Sequence, residues 1–284
     1  AAAAGGVMRI AVVGARGQLG AAVVHACAGR HEVAALDRSA ADITDADALR
    51  TVLHRLDPDV IVNCAAYNAV DDAESHPVEA FRVNGLAVRT LARACPRATL
   101  VHFSSDFVFD GTATRPYTET DPPNPLSVYA MSKLLGEWLA ADAGRSYVLR
   151  VESLFGRAPD GPPARGSVAG LVQAMRAGRR PRVFDDRIVT PTHIGDAAAA
   201  TLALLERQAE PGLYHCVNSG ACTWLELATE AARLLGLPPN FEAVHFADVQ
   251  LPAARPQYCA LSNAKLAAAA FVMPPWQDAL ARGL

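Results

Sequence analysis

The chain lacks long apolar runs, metal-binding motifs and a strong excess of charge. No apolar run reaches the roughly 18 residues that a membrane-spanning helix needs, so we expect no membrane partner. A net charge of -3 provides no basic face for nucleic acid. The eight histidines form no HExxH or similar spacing, and the sequence therefore predicts no bound metal.

A CxxC motif is also missing, although the chain contains six cysteines. Most of them lie within apolar strand or helix patterns, which favours reduced, buried thiols over disulfides. Residues 1–6 carry neither a basic n-region nor a cleavage pattern, so we interpret them as a disordered leader rather than a signal peptide. These features predict a cytoplasmic protein. The cysteines are Cys27, Cys64, Cys95, Cys216, Cys222 and Cys259.

Strand and helix patterns alternate along the chain, which is typical of an α/β protein. We predict a Rossmann-type doubly wound parallel sheet with a smaller interleaved α/β lobe that covers the ligand. The expected strands span residues 9–13, 33–37, 60–63, 99–104, 147–150, 212–217 and 241–245. The expected helices span residues 18–28, 45–55, 77–94, 127–143, 196–207 and 223–235, the last with Thr223 as N-cap.

The same patterns suggest how the chain divides into domains. Residues 7–150 form the expected dinucleotide-binding domain, to which a segment at about 186–217 returns. Prolines cluster at 159, 162 and 163, where the periodic pattern is lost. Residues 151–185 and 218–284 therefore form the predicted smaller lobe.

A glycine-rich turn follows the first expected strand and precedes the first expected helix. Gly14, Gly17 and Gly20 are spaced as GxxGxxG. Glycines alone often mark ordinary turns, but a strand–turn–helix unit points backbone N–H groups and a helix N-terminus at a pyrophosphate. The turn therefore predicts a dinucleotide site.

Tyr129 and Lys133 lie four residues apart and share one face of a predicted helix. An ammonium beside the phenol favours its anion and would lower a pKa that is ordinarily about 10. Taken alone, such a pair is more often an ordinary surface pair. In combination with the glycine turn, it predicts a nicotinamide-dependent reductase.

Further segments occur in the order and spacing of one enzyme group, and the chain resembles the dTDP-4-dehydrorhamnose reductases of the extended short-chain dehydrogenase/reductase superfamily. The resemblance runs from Met8 through Arg150, Pro191-Thr192 and Arg255-Pro256, almost the whole chain. The segments are DITD at 42–45, NCAAY at 63–67, VDDAE at 70–74, SSDFVFDG at 104–111 and YAMSKLLGE at 129–137.

This resemblance implies NADPH-dependent reduction of the 4-keto group of a nucleotide-activated 6-deoxyhexose, with NADH as an alternative cofactor. Tyr129 would supply the proton, and Lys133 would lower its pKa and hold the nicotinamide ribose. Ser105, where the family usually has threonine, would donate to the carbonyl oxygen. The alternative for Ser105 is a strand-end hydroxyl that bonds the local backbone.

The resemblance also implies the cofactor residues. Asp37 would accept from the ribose 2′-OH, whereas Arg38 and Arg16 would meet a 2′-phosphate, and these signals oppose each other. For Arg38, a solvated loop charge remains an alternative. The implied set is Gly14, Arg16, Gly17, Gln18, Leu19, Gly20, Asp37, Arg38, Asp42, Ile43, Cys64, Ala65, Ala66, Tyr67, Tyr129 and Lys133.

On the substrate side, Arg255 suits a diphosphate, although a surface arginine is the alternative. Asp106 and Asp110 either contact ligand or cap their loop through Asx turns. Relatives often have Gln and Gly where this chain has Arg187 and Val189, and Tyr at Phe107. The implied substrate residues are Val70, Asp71, Ser105, Asp106, Phe107, Tyr129, Arg187 and Arg255.

Assembly is a further departure from the family. Some members hold magnesium at a dimer interface through acidic residues, but the matching neighbourhoods here offer Ala21, Ala22, His193 and Ile194. We therefore expect a monomer or a weak homodimer without bridging magnesium.

Two alternative functions remain open at this point. One is a non-catalytic dinucleotide-binding protein, because the fold also resembles the regulatory subunit of methionine adenosyltransferase. The other is a 4-ketoreductase for a different nucleotide deoxysugar. Ser105, Tyr129 and Lys133 are all present, which favours an enzyme over a regulatory protein.

Overall fold

Strands and helices alternate through residues 6–284, the part of the chain that the computed structural model describes. The disordered leader predicted for residues 1–6 lies outside these described residues, apart from Gly6. The strands are β1 Arg9–Val13, β2 Glu32–Leu36, β3 Val60–Asn63, β4 Thr99–Ser105, β5 Ser146–Val151, β6 Leu154–Phe155, β7 Arg182–Phe184, β8 Ile188–Val189, β9 Thr192–His193, β10 Gly212–His215, β11 Cys222–Thr223 and β12 Glu242–Val244. The helices are α1 Gln18–Cys27, α2 Ala46–Leu56, α3 Val70–Ala73, α4 Pro77–Phe81, α5 Ala87–Ala94, α6 Val128–Ala140, α7 Ser167–Arg176, α8 Ile194–Glu206, α9 Trp224–Leu235, α10 Ala264–Ala269 and α11 Trp276–Gly283.

A six-stranded parallel sheet forms the centre of the fold, in the order β10-β5-β4-β3-β1-β2. Its strands are apolar on both faces because helices cover both faces; Ala11, Val12 and Val13, for example, are completely buried. The predicted doubly wound parallel sheet is confirmed.

Helices from distant parts of the chain cover the two faces. On one face, α1 packs against α8 and both contribute to a core that includes Val23 and Ile194. On the other face, α2 and α5 contribute Leu49 and Leu91 to a second core. With both faces covered, the carboxyl ends of the strands are the edge of the sheet where a ligand site is expected.

Three two-stranded sheets lie outside the main sheet: β12-β7, β11-β8 and β6-β9. They surround a third core built from α7, α9 and α11, with Leu171, Leu227 and Leu280 among its buried side chains. The capping box of Thr223 and Glu226 begins α9, so the predicted N-cap is confirmed. The exact division into a dinucleotide domain and a smaller lobe stays a prediction.

The prediction of one continuous helix over residues 77–94 was wrong for the middle of that segment. A π-helical turn, Arg82–Leu86, interrupts it between α4 and α5. The turn carries the Asn84 side chain inward, where its amide donates to the Tyr67 carbonyl and to Ser132 Oγ, both at 3.0 Å. Those bonds compensate for the weaker backbone geometry of a π turn.

None of the helices in residues 6–284 is long and apolar enough to cross a membrane. All six cysteines are free thiols; Cys27, Cys216, Cys222 and Cys259 are buried, whereas Cys64 and Cys95 are half-buried.

A buried ion pair joins α6 to the main sheet. Arg150 on β5 donates to both carboxylate oxygens of Glu137, at 2.8 and 2.7 Å, and the side chains are 3% and 7% exposed. Ser104 on β4 donates to the same carboxylate at 2.6 Å. The carboxylate is therefore well satisfied despite its burial.

Glu137→Ala should lower the free energy of unfolding by about 3–5 kcal/mol, because it leaves the Arg150 guanidinium buried without its partner. Urea denaturation at pH 7 measures this loss. Glu230→Ala is the control, since it removes a pair whose arginine is largely exposed and should cost less than about 1 kcal/mol. Equal losses in the two variants would contradict the role of burial.

Candidate active site

The glycine turn brings the first helix against the ends of β1 and β3. Gly14 has a φ of +77°, and a Cβ there would lie 2.7 Å from the Ala65 nitrogen. A Cβ on Gly20 would lie 2.2 Å from the Gly14 carbonyl oxygen. These two positions therefore need glycine for the close approach of backbone to backbone.

The N-terminus of α1 is left open toward this end of the sheet. Gly17 is the N-cap and provides no side-chain hydrogen bond, while Gln18 Nε2 is turned away to donate to the Gly156 carbonyl at 3.2 Å. First-turn N–H groups and the helix dipole favour an anion at such an end. The residues present fit a dinucleotide pyrophosphate.

Charged side chains after β2 pair with one another. Arg16 Nε lies 2.8 Å from an Asp37 carboxylate oxygen, and Arg38 Nε lies 3.2 Å from one of Asp42. Hydrogen bonds from Ser39 and the Ala40 N–H, with Arg16 nearby, lower the pKa of Asp37. The acid that suits a ribose 2′-OH and the arginines that suit a 2′-phosphate therefore lie side by side. The side chains of Arg16 and Arg38 are 86% and 83% exposed.

The segment after β3 is held by side-chain amides. Asn63 Oδ1 accepts from the Ala65 N–H at 3.1 Å, and Asn84 Oδ1 accepts from the Tyr67 N–H at 2.8 Å. The Tyr67 hydroxyl donates to Asp72. Burial raises the pKa of the Cys64 thiol, so that thiol stays neutral. The segment forms a fixed edge beside the glycine turn.

Tyr129 lies in the first turn of α6, Lys133 lies one turn further along the helix, and Ser105 ends β4. The three residues are 8%, 3% and 7% exposed. Lys133 Nζ donates to the Phe103 carbonyl at 2.5 Å. Ser105 Oγ donates to Asp106 Oδ1 at 2.9 Å and accepts from the Phe107 N–H at 3.2 Å. The Ser105 hydroxyl thus makes the local backbone bond that was its alternative role.

Burial changes the ionisation of this group in a direction that the sequence did not predict. It raises the pKa of Tyr129, with the Asp106 carboxylate adding to the effect and the nearby Ser105 hydroxyl opposing it. The prediction that Lys133 lowers the pKa of Tyr129 is therefore wrong for this structure, because burial has the larger effect. Burial also lowers the pKa of Lys133 to about 8, against the attraction of Glu137. Tyr129 is consequently held as a neutral phenol, the form that can give a proton.

A cavity of about 340 Å³ lies on the substrate side. Arg255, expected at the diphosphate, donates to both Asp71 carboxylate oxygens at 2.9 Å, so two predicted substrate residues pair with each other. Trp224 is buried, and its Nε1 has no hydrogen-bond partner among residues 6–284. The lining includes Arg182, Phe184, Arg187, Trp224, Leu251 and Arg255.

Arg187, a predicted substrate residue, is buried, with 8% of its surface exposed. Its Nε donates to the Pro256 carbonyl at 3.0 Å, and its guanidinium lies 5.6 Å from the Phe107 ring centre. The Phe107 ring in turn meets Tyr129 edge to face at 5.8 Å. Arg187 and Phe107 therefore connect the cavity to Tyr129.

The two aspartates of the VFDG segment have different roles in the structure. Asp110 accepts from the Thr112 N–H, Tyr117 and Asn124, and these bonds, with that from Asn124 the largest, lower its pKa to about 2. Asp110 therefore caps its loop, which is the Asx-turn alternative given for it above. Asp106 instead is 2% exposed and faces inward.

Sequence reasoning missed several buried polar residues behind the site. Asn84 is brought in by the π turn, and Glu152 lies just after β5, where its only local signal is an acid beside an apolar strand. His102 on β4 lies close to Asn63, with Nδ1 to Nδ2 at 3.2 Å. Only the fold shows that Asn84 and His102 meet the catalytic helix and that Glu152 lies close to Asp106.

The open helix N-terminus, the buried Tyr129 and Lys133 pair and the arginine-lined cavity define a nicotinamide-dependent reductase of the short-chain type. The chain belongs to the family whose model is described as the RmlD substrate binding domain, which matches residues 8–284.

Named relatives agree with this assignment. A dTDP-4-dehydrorhamnose reductase of Streptomyces griseus is 37% identical, over 95% of this chain and 90% of the relative. The structure of a dTDP-4-dehydrorhamnose reductase from Clostridium acetobutylicum superposes with a TM-score of 0.90 at 31% identity, covering 97% of this chain and 98% of that one. The structure of one from Bacillus anthracis in complex with NADP has a TM-score of 0.89 at 27% identity, with 98% of each chain covered.

Lys133→Met should raise the thermal stability at pH 7 by roughly 2 kcal/mol, because a buried ammonium with a lowered pKa disfavours the folded state. The sign follows from linkage: the penalty is complete below pH 8 and decreases as pH rises toward the ordinary pKa of 10.5. Melting curves at pH 7 and pH 10 should therefore show a smaller difference at the higher pH.

Lys265→Met provides the matched control, since Lys265 is the other lysine of the chain and is exposed. It should not raise the melting temperature. A destabilised Lys133→Met at pH 7 would refute the penalty.

Proposed function

We propose that the protein reduces the 4-keto group of a nucleotide-activated 6-deoxyhexose, with NADPH as cofactor and NADH as an alternative. The observation that carries the proposal is that Tyr129 and Lys133 are buried one helical turn apart on α6 and that Ser105, at the end of β4, is buried with its hydroxyl near Tyr129. The relatives named dTDP-4-dehydrorhamnose reductase support the same chemistry.

The roles of the three side chains follow from their charge states. When bound, the reduced nicotinamide supplies a hydride to the ketone carbon. Negative charge then develops on the ketone oxygen, and Tyr129 gives that oxygen its proton. Ser105 donates to the same oxygen, and Lys133, one helical turn from Tyr129, holds the ribose and stabilises the tyrosine anion that remains.

The substrate's nucleotide and diphosphate would occupy the cavity. Arg182 and Arg255 offer planar forks for phosphate oxygens, and the unpartnered Trp224 Nε1 offers a donor near Phe184. Binding there requires the diphosphate to compete with Asp71 for Arg255. Arg187 lines the cavity and packs on Phe107, whose ring meets Tyr129, so only two side chains separate the cavity from the proton donor. This arrangement supports a substrate whose reacting carbon lies beyond its diphosphate.

We also propose that the protein acts in the cytoplasm as a monomer or weak homodimer without bridging magnesium. The positions that would hold the ion support this: Ala22 and Ile194 are buried and apolar, and His193 instead caps α8 by accepting from the Gly195 N–H. No described side chain among these provides a carboxylate.

Tyr129→Phe should lower kcat by roughly 10²-fold with little change in cofactor affinity, because it removes the proton donor and leaves the packing intact. The assay is NADPH and NADH oxidation with dTDP-4-dehydro-6-deoxy sugars. Tyr214→Phe, which removes a hydroxyl bonded to the Glu210 carbonyl away from the site, is the control. A chain that binds NADPH but oxidises none with any keto-sugar nucleotide would refute the proposed function.

Arg38→Ala should raise the KM for NADPH by about tenfold and that for NADH by less than about threefold, because only the former carries a 2′-phosphate for the guanidinium to bind. Steady-state kinetics with both cofactors tests this preference. Arg93→Ala, a change at an exposed arginine on α5, should alter neither value. An equal rise for both cofactors would show that Arg38 does not read the 2′-phosphate.

A further inference from the structure

Two buried carboxyl groups lie directly behind Ser105. Asp106 is 2% exposed and Glu152 is 3% exposed. A carboxylate oxygen of each and the Cys259 sulfur lie within 4.8 Å of one another. Asp106 Oδ2 and Glu152 Oε1 have no hydrogen-bond partner among the described residues. An unpartnered oxygen on a buried, ionised carboxylate is costly, so this arrangement requires an explanation.

Among residues 6–284, Arg187 is the one cation that faces the pair. Arg187 lies beside both acids, but its hydrogen bonds go to the Pro256 carbonyl and toward Cys259 Sγ rather than to either carboxylate. Two ionised carboxylates would leave a net negative charge in a region closed to water, whereas a single proton makes the group neutral. The other ionisable groups that face the pair are Cys259, Tyr129 and, beside Glu152, Cys222.

We propose that Asp106 and Glu152 hold one proton between them in the resting enzyme, and that a second proton, taken up by Asp106, turns the Ser105 hydroxyl toward the substrate ketone. This inference deepens the proposed reductase function and rests on it. Both acids act as positioning residues, since they work through Ser105.

The hydrogen bonds of Ser105 show how this control works. A hydroxyl has one hydrogen, and Ser105 now gives it to Asp106 Oδ1 while accepting from the Phe107 N–H. A protonated Asp106 becomes a donor to the second lone pair of Ser105 Oγ. The serine hydrogen is then released for the ketone oxygen, where negative charge develops.

The ionisation of the two acids agrees with this order. Burial raises the pKa of Glu152 well above its ordinary value, and the Asp106 charge raises it further, so Glu152 holds the first proton. Burial raises the pKa of Asp106 to about 6, against the opposing effects of Arg187 and Ser105. Asp106 therefore takes the second proton close to working pH.

Infrared difference spectra of the whole protein, recorded between pH 8 and pH 5, test the proton count without any turnover. We expect one protonated carboxyl band at pH 8 that Glu152→Gln removes, and a second band that grows in near pH 6 and that Asp106→Asn removes. The absence of a protonated band at pH 8, or a band unchanged in Glu152→Gln, would overturn the pair. Asp196→Asn, at a buried carboxylate bonded to Asn218 and Arg282, is the control and should change neither band.

The pH dependence of kcat tests the link to Ser105. As pH falls from 8 to 5.5, kcat should rise roughly tenfold with an apparent pKa near 6, and Asp106→Asn should abolish this rise, because an amide donates to Ser105 at every pH. Glu152→Gln should leave the pKa of the rise in place, since glutamine imitates the protonated acid. A shift to lower pH in that variant would mean that Glu152 is ionised at rest. Persistence of the rise in Asp106→Asn would refute the link. Because the spectra need no substrate, they test the pair even if the reductase proposal fails.

Discussion

The ion pair between Glu137 and Arg150 determines where the catalytic helix lies on the sheet. Tyr129, Lys133 and Glu137 are spaced four residues apart, so they share one face of α6. Glu137 ties that face to β5 through Arg150 and to β4 through Ser104. Arg150 also lies 4.8 Å from the Phe109 ring centre, so the segment that follows Ser105 packs on the same guanidinium. A shift in this pair would move both the proton donor and the serine.

Exclusion of water sets the chemistry of the site. The same burial that makes an isolated charge costly raises the pKa of Tyr129 and lowers that of Lys133, and it leaves the phenol neutral before reaction. Charge that develops on a ketone oxygen in such surroundings is stabilised strongly by fixed donors, because no water competes for them. The site is thus built to make its proton transfers at the moment when the substrate changes charge.

Much of the fold follows from short-range patterns. The glycine turn, the alternation of apolar strands with amphipathic helices and the capping box at Thr223 all act within a few residues, and the structure contains each of them. The π turn could not be foreseen, because it depends on Asn84 reaching partners on a segment and a helix that lie elsewhere in the chain.

The site was predictable only in part, for the same reason. Tyr129 and Lys133 form a local pattern, but the direction of the Tyr129 pKa depends on Asp106 and on burial by several elements. Arg255 meets Asp71, and Glu152 meets Asp106, only because the chain folds distant segments together. Side chains of these types give no signal of such partners in the sequence.

The π turn at Arg82–Leu86 limits how the length of this region can vary. A π turn holds one more residue per turn than an α-helix, so this segment accommodates an extra residue while α4 and α5 keep their helical phase. Loss of that one residue would restore regular α geometry without rotating α4 relative to α5, but Asn84 would lose its inward position between Tyr67 and Ser132. Gain of a further residue would instead rotate one helix by about 100° relative to the other and turn part of its apolar side to solvent. The helix geometry therefore permits only a narrow change of length here, unlike a surface loop.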